Sequence, residues 1–505
     1  MLQNLEKACE VAADAAENLG ETSNRRALFA TGITAGLLAL AGRSEAQSGG
    51  GIDPTTSWSS ANARAARKMT YGVTETDLAE LDKMGFMGWR ERMLGRYIDD
   101  SALETVITSR YPRTRMTAPQ LGKLTDDWVT IQQLGEATIM RSAFSKNQLY
   151  ERMVEFWTDH FNVHVDKVGG WVMAPFVRQA IRENALGGFS AMLRAVCQSA
   201  AMLAYLDNTE NFFDNGNVNF ARELMELHTM GSDGGYTQSD VRQVARCFSG
   251  WSFLWDPGGP NHGNFWFYDW GHSNLTKTVL GVTIPAGGGR SDGDRVISIL
   301  LAHPSTAKFI ARKLCRFLLQ YDPPQAVINR AAAEFTRTGG FIRAVVSVIL
   351  TPENINASKP KYKRPYHLFI GALRQMKAQM PGDQWAIRYE HLYQAGQLPY
   401  SWNMPDGYPD KLAFWATLIL PRWNYALMLT QNYVWNVTVD IPALLGPAKT
   451  PETITAKINS LLFANEMHPA DRDALLVFLK AAPLDPKRIQ AAFSLALASP
   501  SNQWY

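Results

Sequence analysis

The chain has 505 residues, 46% of them hydrophobic and 11% aromatic, which excludes intrinsic disorder and allows about two to four domain-sized units or one large body with additions. Its formal charge is +3, and no run of five or more basic residues occurs, so nucleic acid is not an expected partner.

In chain order, the first signal is "SNRRALFATGITAGLLALAGRSEAQ". Arg25 and Arg26 precede an apolar stretch from Ala27 to Ala41, and the small residues Ser44 and Ala46 mark a cleavage site before Gln47. The apolar run is too short and too rich in Gly, Ala and Thr for a membrane span. Paired arginines before a mild apolar region resemble a twin-arginine export signal over residues 1–46. Asn24 and the order Leu28-Phe29 depart from that pattern, and an uncleaved N-terminal anchor is the alternative. The resemblance implies a periplasmic or extracellular protein, exported already folded, with no stable membrane span after cleavage. Residues 47–69 begin Gly/Ser/Thr-rich and are expected to form a flexible leader.

From about residue 70 to 500 the apolar spacing is mostly helical. "TETD" opens a helix that places Leu78, Leu81 and Met84 on one face, and segments near 122–141, 147–164, 172–186 and 188–205 continue the period. Gly231 stops a helix, and Thr237 is the N-cap of the next. Residues 251–291 alternate aromatics with Gly, Pro and Asn and predict an irregular loop with one or two β-hairpins. Helices resume from 291, with His303 before Pro304 as an N-terminal device. The fold class is therefore mainly α: a large multi-helix globular body with a small hairpin insertion. Cys197, Cys247 and Cys315 lie in apolar contexts without CxxC spacing, so buried thiols with at most one bridge are expected.

Two stretches carry candidate chemistry. In "EFWTDHFNVH", a helix would set His160 and His164 on one face, half of a site for a divalent transition metal. Phe161 stands where a metalloprotease helix needs glutamate, so that mechanism is not expected. In "NFARELMELHTMG", Asn219, Arg222, Glu223 and Glu226 form a polar stripe between apolar flanks. His228 lies about 160° around a regular helix from Glu226, off that stripe. Glu223 and Glu226 could bridge a metal with His160 and His164, or act as acid and base, with Arg222 and Tyr236 orienting substrate. Alternatively, Arg222 pairs with Glu226 four residues on, and the stripe is an internal ion-pair network. Asp240 suits the first turn of its helix. There is no serine elbow, phosphate loop or dinucleotide fingerprint.

These motifs, with "HPSTAKFIARKLCRFL" and "RPYHLFIGALR" in the same order, resemble a bacterial family called domain of unknown function 1800, over roughly residues 70 to 500. The resemblance implies an exported, largely helical protein without established activity, often encoded beside a sulfatase-like exported protein that becomes a candidate partner. It emphasises Trp157, His160, Asn219, Arg222, Glu223, Glu226, Gly231, Tyr236, Asp240, Arg246, Gly250 and Trp251. It gives less weight to His164 and His228. Two positions depart from the family: a His-Asp pair is here His272-Ser273, and an acidic position is His367. Two functions follow as expectations: a metal-dependent hydrolase or oxidoreductase with a His/Glu site, or a non-catalytic scaffold or binding protein whose His/Arg/Glu network is structural.

Overall fold

The computed structural model describes residues 53, 55–95, 98–214 and 216–505. The expected export signal and residues 47–52 of the leader lie outside the described residues. Residues 55–69 of that leader fold against the body, a correction to the expectation. Ala61–Met69 is a helix capped by Ser60, whose hydroxyl accepts from Ala63 N. Its Ala63, Ala66 and Met69 side chains are buried, and Arg67 donates to Glu466 Oε2. An alanine-rich face following Trp58 had enough apolar surface to dock.

Among the described residues helices dominate, and strands are confined to two two-stranded antiparallel hairpins. β1 (Trp251–Phe253) pairs with β2 (Phe265–Phe267), with Ser252 opposite Trp266; β3 (Lys277–Val279) pairs with β4 (Val282–Ile284). Both fall inside the expected insertion. One large core gathers the helices between residues 65 and 355 around Trp89, Trp157 and Trp251, and a second is built by the 365–498 helices with Tyr71, Ile107 and Ile139.

The expected caps form. The side-chain oxygens of Thr74 and Asp77 each accept from the other's backbone N–H, as do those of Thr237 and Asp240, and His303 Nδ1 accepts from Ser305 N. Two helical faces differ from expectation. Gly85 sits at φ 70°, ψ 164° and kinks the Glu75–Gly95 helix, so Leu81 is buried while Met84 is exposed. The segment expected at 147–164 ends early: the helix is Gln148–His160, and Phe161 leaves it at φ −105°, ψ 50°. Beyond it, the Asn162 side chain donates to the carbonyls of Trp402 and Met404, a tertiary anchor that redirects the chain. Cys197, Cys247 and Cys315 are free and buried.

Candidate functional site

His160 ends its helix inside the core. Its ring is walled by Phe161 at 4.5 Å between centroids, Trp157 at 5.4 Å, Phe156 and His228 at 6.0 Å, and Phe309 at 6.3 Å. Nε2 donates to the His228 carbonyl at 3.1 Å, while Nδ1 is buried without a hydrogen-bond partner among the described residues. Burial, with Lys313 and His228 nearby, holds the imidazole well below its ordinary pKa, so it is neutral.

His164 lies past the helix, as the residue preceding the short Val165–Val168 helix, with Nε2 3.6 Å from Asp166 Oδ2. The shared face expected of His160 and His164 therefore does not form, because it needed an unbroken helix. Among the described residues, no group of three or more His, Cys, Asp or Glu side chains is placed to hold a metal ion. The structure thus does not assemble His160, His164, Glu223 and Glu226 into one ligand set.

The second stretch begins as an α-helix at Asn219–Glu223 and widens into a π-helix at Leu224–Thr229. Met230 N donates to Met225 O, five residues back, and the Thr229 hydroxyl reaches the Leu224 carbonyl. Such widened turns are rare and frequent at functional sites. The π turn leaves Arg222, Glu223 and Glu226 half-buried on one side. It buries His228 on the other, against Phe161 and His160. Burial and Lys313 push the His228 pKa down to about 3.

The ion-pair alternative is not realised: among the described residues, neither Arg222, Glu223 nor Glu226 forms an ion pair. Tyr236 donates its hydroxyl to Glu226 Oε2 at 3.4 Å, and burial together with that carboxylate pushes the phenol up to about 12. Glu223 is held above the usual carboxylate range by burial and by Glu226, opposed by Arg222 and reinforced by Asp406.

Asp406 was not legible as a site residue. It belongs to the segment 399–411, which has no regular helix and is held by Asn162 and by the Tyr205 hydroxyl on Asn403 O at 2.7 Å. Trp402 Nε1 donates to Asp406 Oδ1 at 2.9 Å. The P-D-G turn at Pro405–Gly407 is the one local signal that could have found it.

A buried charge cluster flanks this group. Asp159, next to His160 in sequence, accepts from Arg364 Nη1 at 2.6 Å, while Arg364 Nη2 binds Glu155. Burial, opposed by Arg364 and reinforced by Glu155, pushes Asp159 up to about 6. Burial lowers Lys313 to about 8 despite the pull of Asp159, Asp406 and Asp410. Lys313 therefore links electrostatically the histidine side and the carboxylate side. A cleft of about 600 Å³ lies elsewhere, lined by Arg115, Arg141, Arg178 and Arg182. Its Arg141 pairs with Glu104 and its Arg182 with Glu151.

Other emphasised positions hold the scaffold. Trp157 Nε1 donates to Ala185 O, Asn219 to Asp207, and Asp240 Oδ1 accepts from Leu280 N in the β3–β4 turn. His367, at the expected acidic position, is buried against Arg152 Nη1 at 2.9 Å.

Fold and cluster together define a class: a mainly helical body with a hairpin insertion, in which a carboxylate group is gathered from segments far apart in sequence. The chain belongs to the family described as protein of unknown function DUF1800, whose model matches residues 64–504. No curated protein and no solved structure matches it. No helix among the described residues is long and apolar enough to cross a membrane.

Proposed function

We propose that this chain is an exported acid–base enzyme, a hydrolase whose site is built on Glu223 and Glu226. The observation that carries this reading is the grouping of Glu223, Glu226 and Asp406 with no ion pair to any of the three among the described residues. Clustered carboxylates left without a paired cation are costly to keep partly buried, which a structural network would have avoided. Glu223, held protonated more readily than an ordinary carboxyl, is the acid toward a leaving group. Glu226 takes the proton of the attacking water, oriented by the Tyr236 hydroxyl. Arg222 meets negative charge developing on the substrate. The export signal expected in residues 1–46 supports action outside the cytoplasm.

The test is a hydrolase panel (carboxylic esters, phosphoesters, glycosides and peptides) run on purified protein beside Glu223→Gln and Glu226→Gln. The expected outcome is turnover by the parent, lost in both variants at unchanged melting temperature. A stoichiometric divalent metal, lost with activity on chelation, would replace this assignment with metal-centred hydrolysis on the same carboxylates. No turnover, with both variants strongly destabilised, would sink the catalytic reading. The scaffold reading, with a sulfatase-like exported partner, would then stand. It draws its support from His160, whose ring is locked in the aromatic core.

A further inference from the structure

The second hairpin contains a sealed group that the carboxylate site does not use. Lys277 on β3, Asp292 in the first turn of the Ser291–Ala302 helix, and His272 between the hairpins all have fully buried side chains. Lys277 Nζ lies 2.6 Å from Asp292 Oδ2. His272 Nε2 lies 3.2 Å from that same oxygen and 3.3 Å from Nζ. His272 Nδ1 donates to the Ser249 carbonyl at 2.8 Å, which leaves the Nε2 lone pair facing both partners. Nζ also donates to Ser273 O, and the second oxygen of Asp292 has no hydrogen-bond partner among the described residues.

We propose that Lys277 and Asp292 are a site of self-modification, joined by an intramolecular isopeptide bond with His272 as the proton carrier. The chemistry balances within the cluster. Across the 2.6 Å contact Nζ passes a proton to Oδ2, and the reacting form is an amine beside a carboxylic acid. The amine lone pair attacks Cγ. His272 Nε2 removes a proton from the nitrogen in the tetrahedral adduct and returns it to the Oδ2 hydroxyl. The C–O bond breaks, water leaves, and an amide replaces the ammonium–carboxylate pair. No oxidant or other reactant is needed. Held in contact, such groups react at effective concentrations of roughly 10⁵–10⁸ M. Condensation also removes the desolvation cost of two buried charges. This proposal is independent of the hydrolase reading.

Mass spectrometry of the folded full chain tests it. Unmodified protein is cut by trypsin after Lys277; the cross-linked protein gives instead one branched peptide, Cys247–Arg290 joined to Ser291–Arg295, short of the sum by one water. Lys277→Arg keeps a cation beside Asp292 and is expected to yield separate peptides of full mass. His272→Asn is expected to slow the joining, so that freshly purified protein contains mostly unjoined chain. Cleavage after Lys277 in the parent protein, with both peptides at full mass, overturns the proposal. So does a water loss confined to Ser291–Arg295, which would mark succinimide formation at Asp292–Gly293.

Discussion

Arg364 donates from Nη1 to Asp159 Oδ2 over 2.6 Å, tying the start of the Pro365–Gln375 helix to the helix that ends at His160. The same guanidinium binds Glu155, which also accepts from the Tyr71 hydroxyl at 2.9 Å. Removing it leaves two carboxylates in a largely enclosed site without their cation. Arg364→Ala is expected to cost about 3–5 kcal/mol, measured as a lower midpoint in thermal and urea unfolding.

Asp159 makes the fold sensitive to pH in one direction. Its folded pKa of about 6 stands above the ordinary 3.8. The folded state then holds the proton more tightly, so this stabilising contribution is complete below the ordinary value and is lost as pH rises through about 6. Asp159→Asn is expected to flatten the melting temperature between those values. An unchanged pH profile in the variant would contradict the assignment.

His228 acts with the opposite sign. Its folded pKa of about 3 lies below the ordinary 6.5, so its contribution is present above 6.5 and is lost as pH falls toward 3. The buried Nε2 has no hydrogen-bond partner among the described residues, and the imidazole packs against the rings of His160 and Phe161. His228→Phe is expected to fold and to shift the acid-unfolding midpoint to lower pH, followed by near-ultraviolet circular dichroism.

At the carboxylate group, stability and activity are expected to separate. Glu226 has no ion pair among the described residues, and half-exposed substitutions of this kind usually change stability by no more than about 0.5 kcal/mol. Loss of a general base lowers turnover by about 10²–10⁴-fold. Glu226→Gln should therefore melt like the parent protein and lose kcat on whichever panel substrate the parent turns over.

The segment carrying Asp406 depends on one glycine. Gly407 has φ +77°, and a Cβ there would lie 2.0 Å from the Asp159 carbonyl oxygen. Gly407→Ala should lift residues 399–411 off the helix end, at a cost of about 1–2 kcal/mol for the left-handed backbone alone. Faster amide hydrogen exchange confined to that segment is the expected readout.

Much of the local structure was readable because it depends on neighbours in sequence. The Thr74–Asp77 and Thr237–Asp240 caps, the stop at Gly231 and the aromatic hairpins at 251–284 follow from side chains that bond their own backbone or alternate on a strand. Helical wheels were less reliable, since they assume an unbroken helix of regular pitch. Phe161 ends that regularity before His164, Gly85 breaks the helix just after Met84, and the π turn at Leu224–Thr229 alters the pitch around His228.

By itself the sequence determined a mainly helical body, a hairpin insertion, the half-buried stripe of Arg222, Glu223 and Glu226, and the order of motifs that marks the family. Only the tertiary structure decided what those side chains meet. It placed His160 among aromatic rings rather than carboxylates, left Glu226 without its expected ion pair among the described residues, and brought Asp406 to Glu223 and Arg364 to Asp159. The reason is physical: caps and periodicity are set within a few residues. Burial and charge pairing depend on which distant segments pack together, and spacing along the chain does not encode that distance.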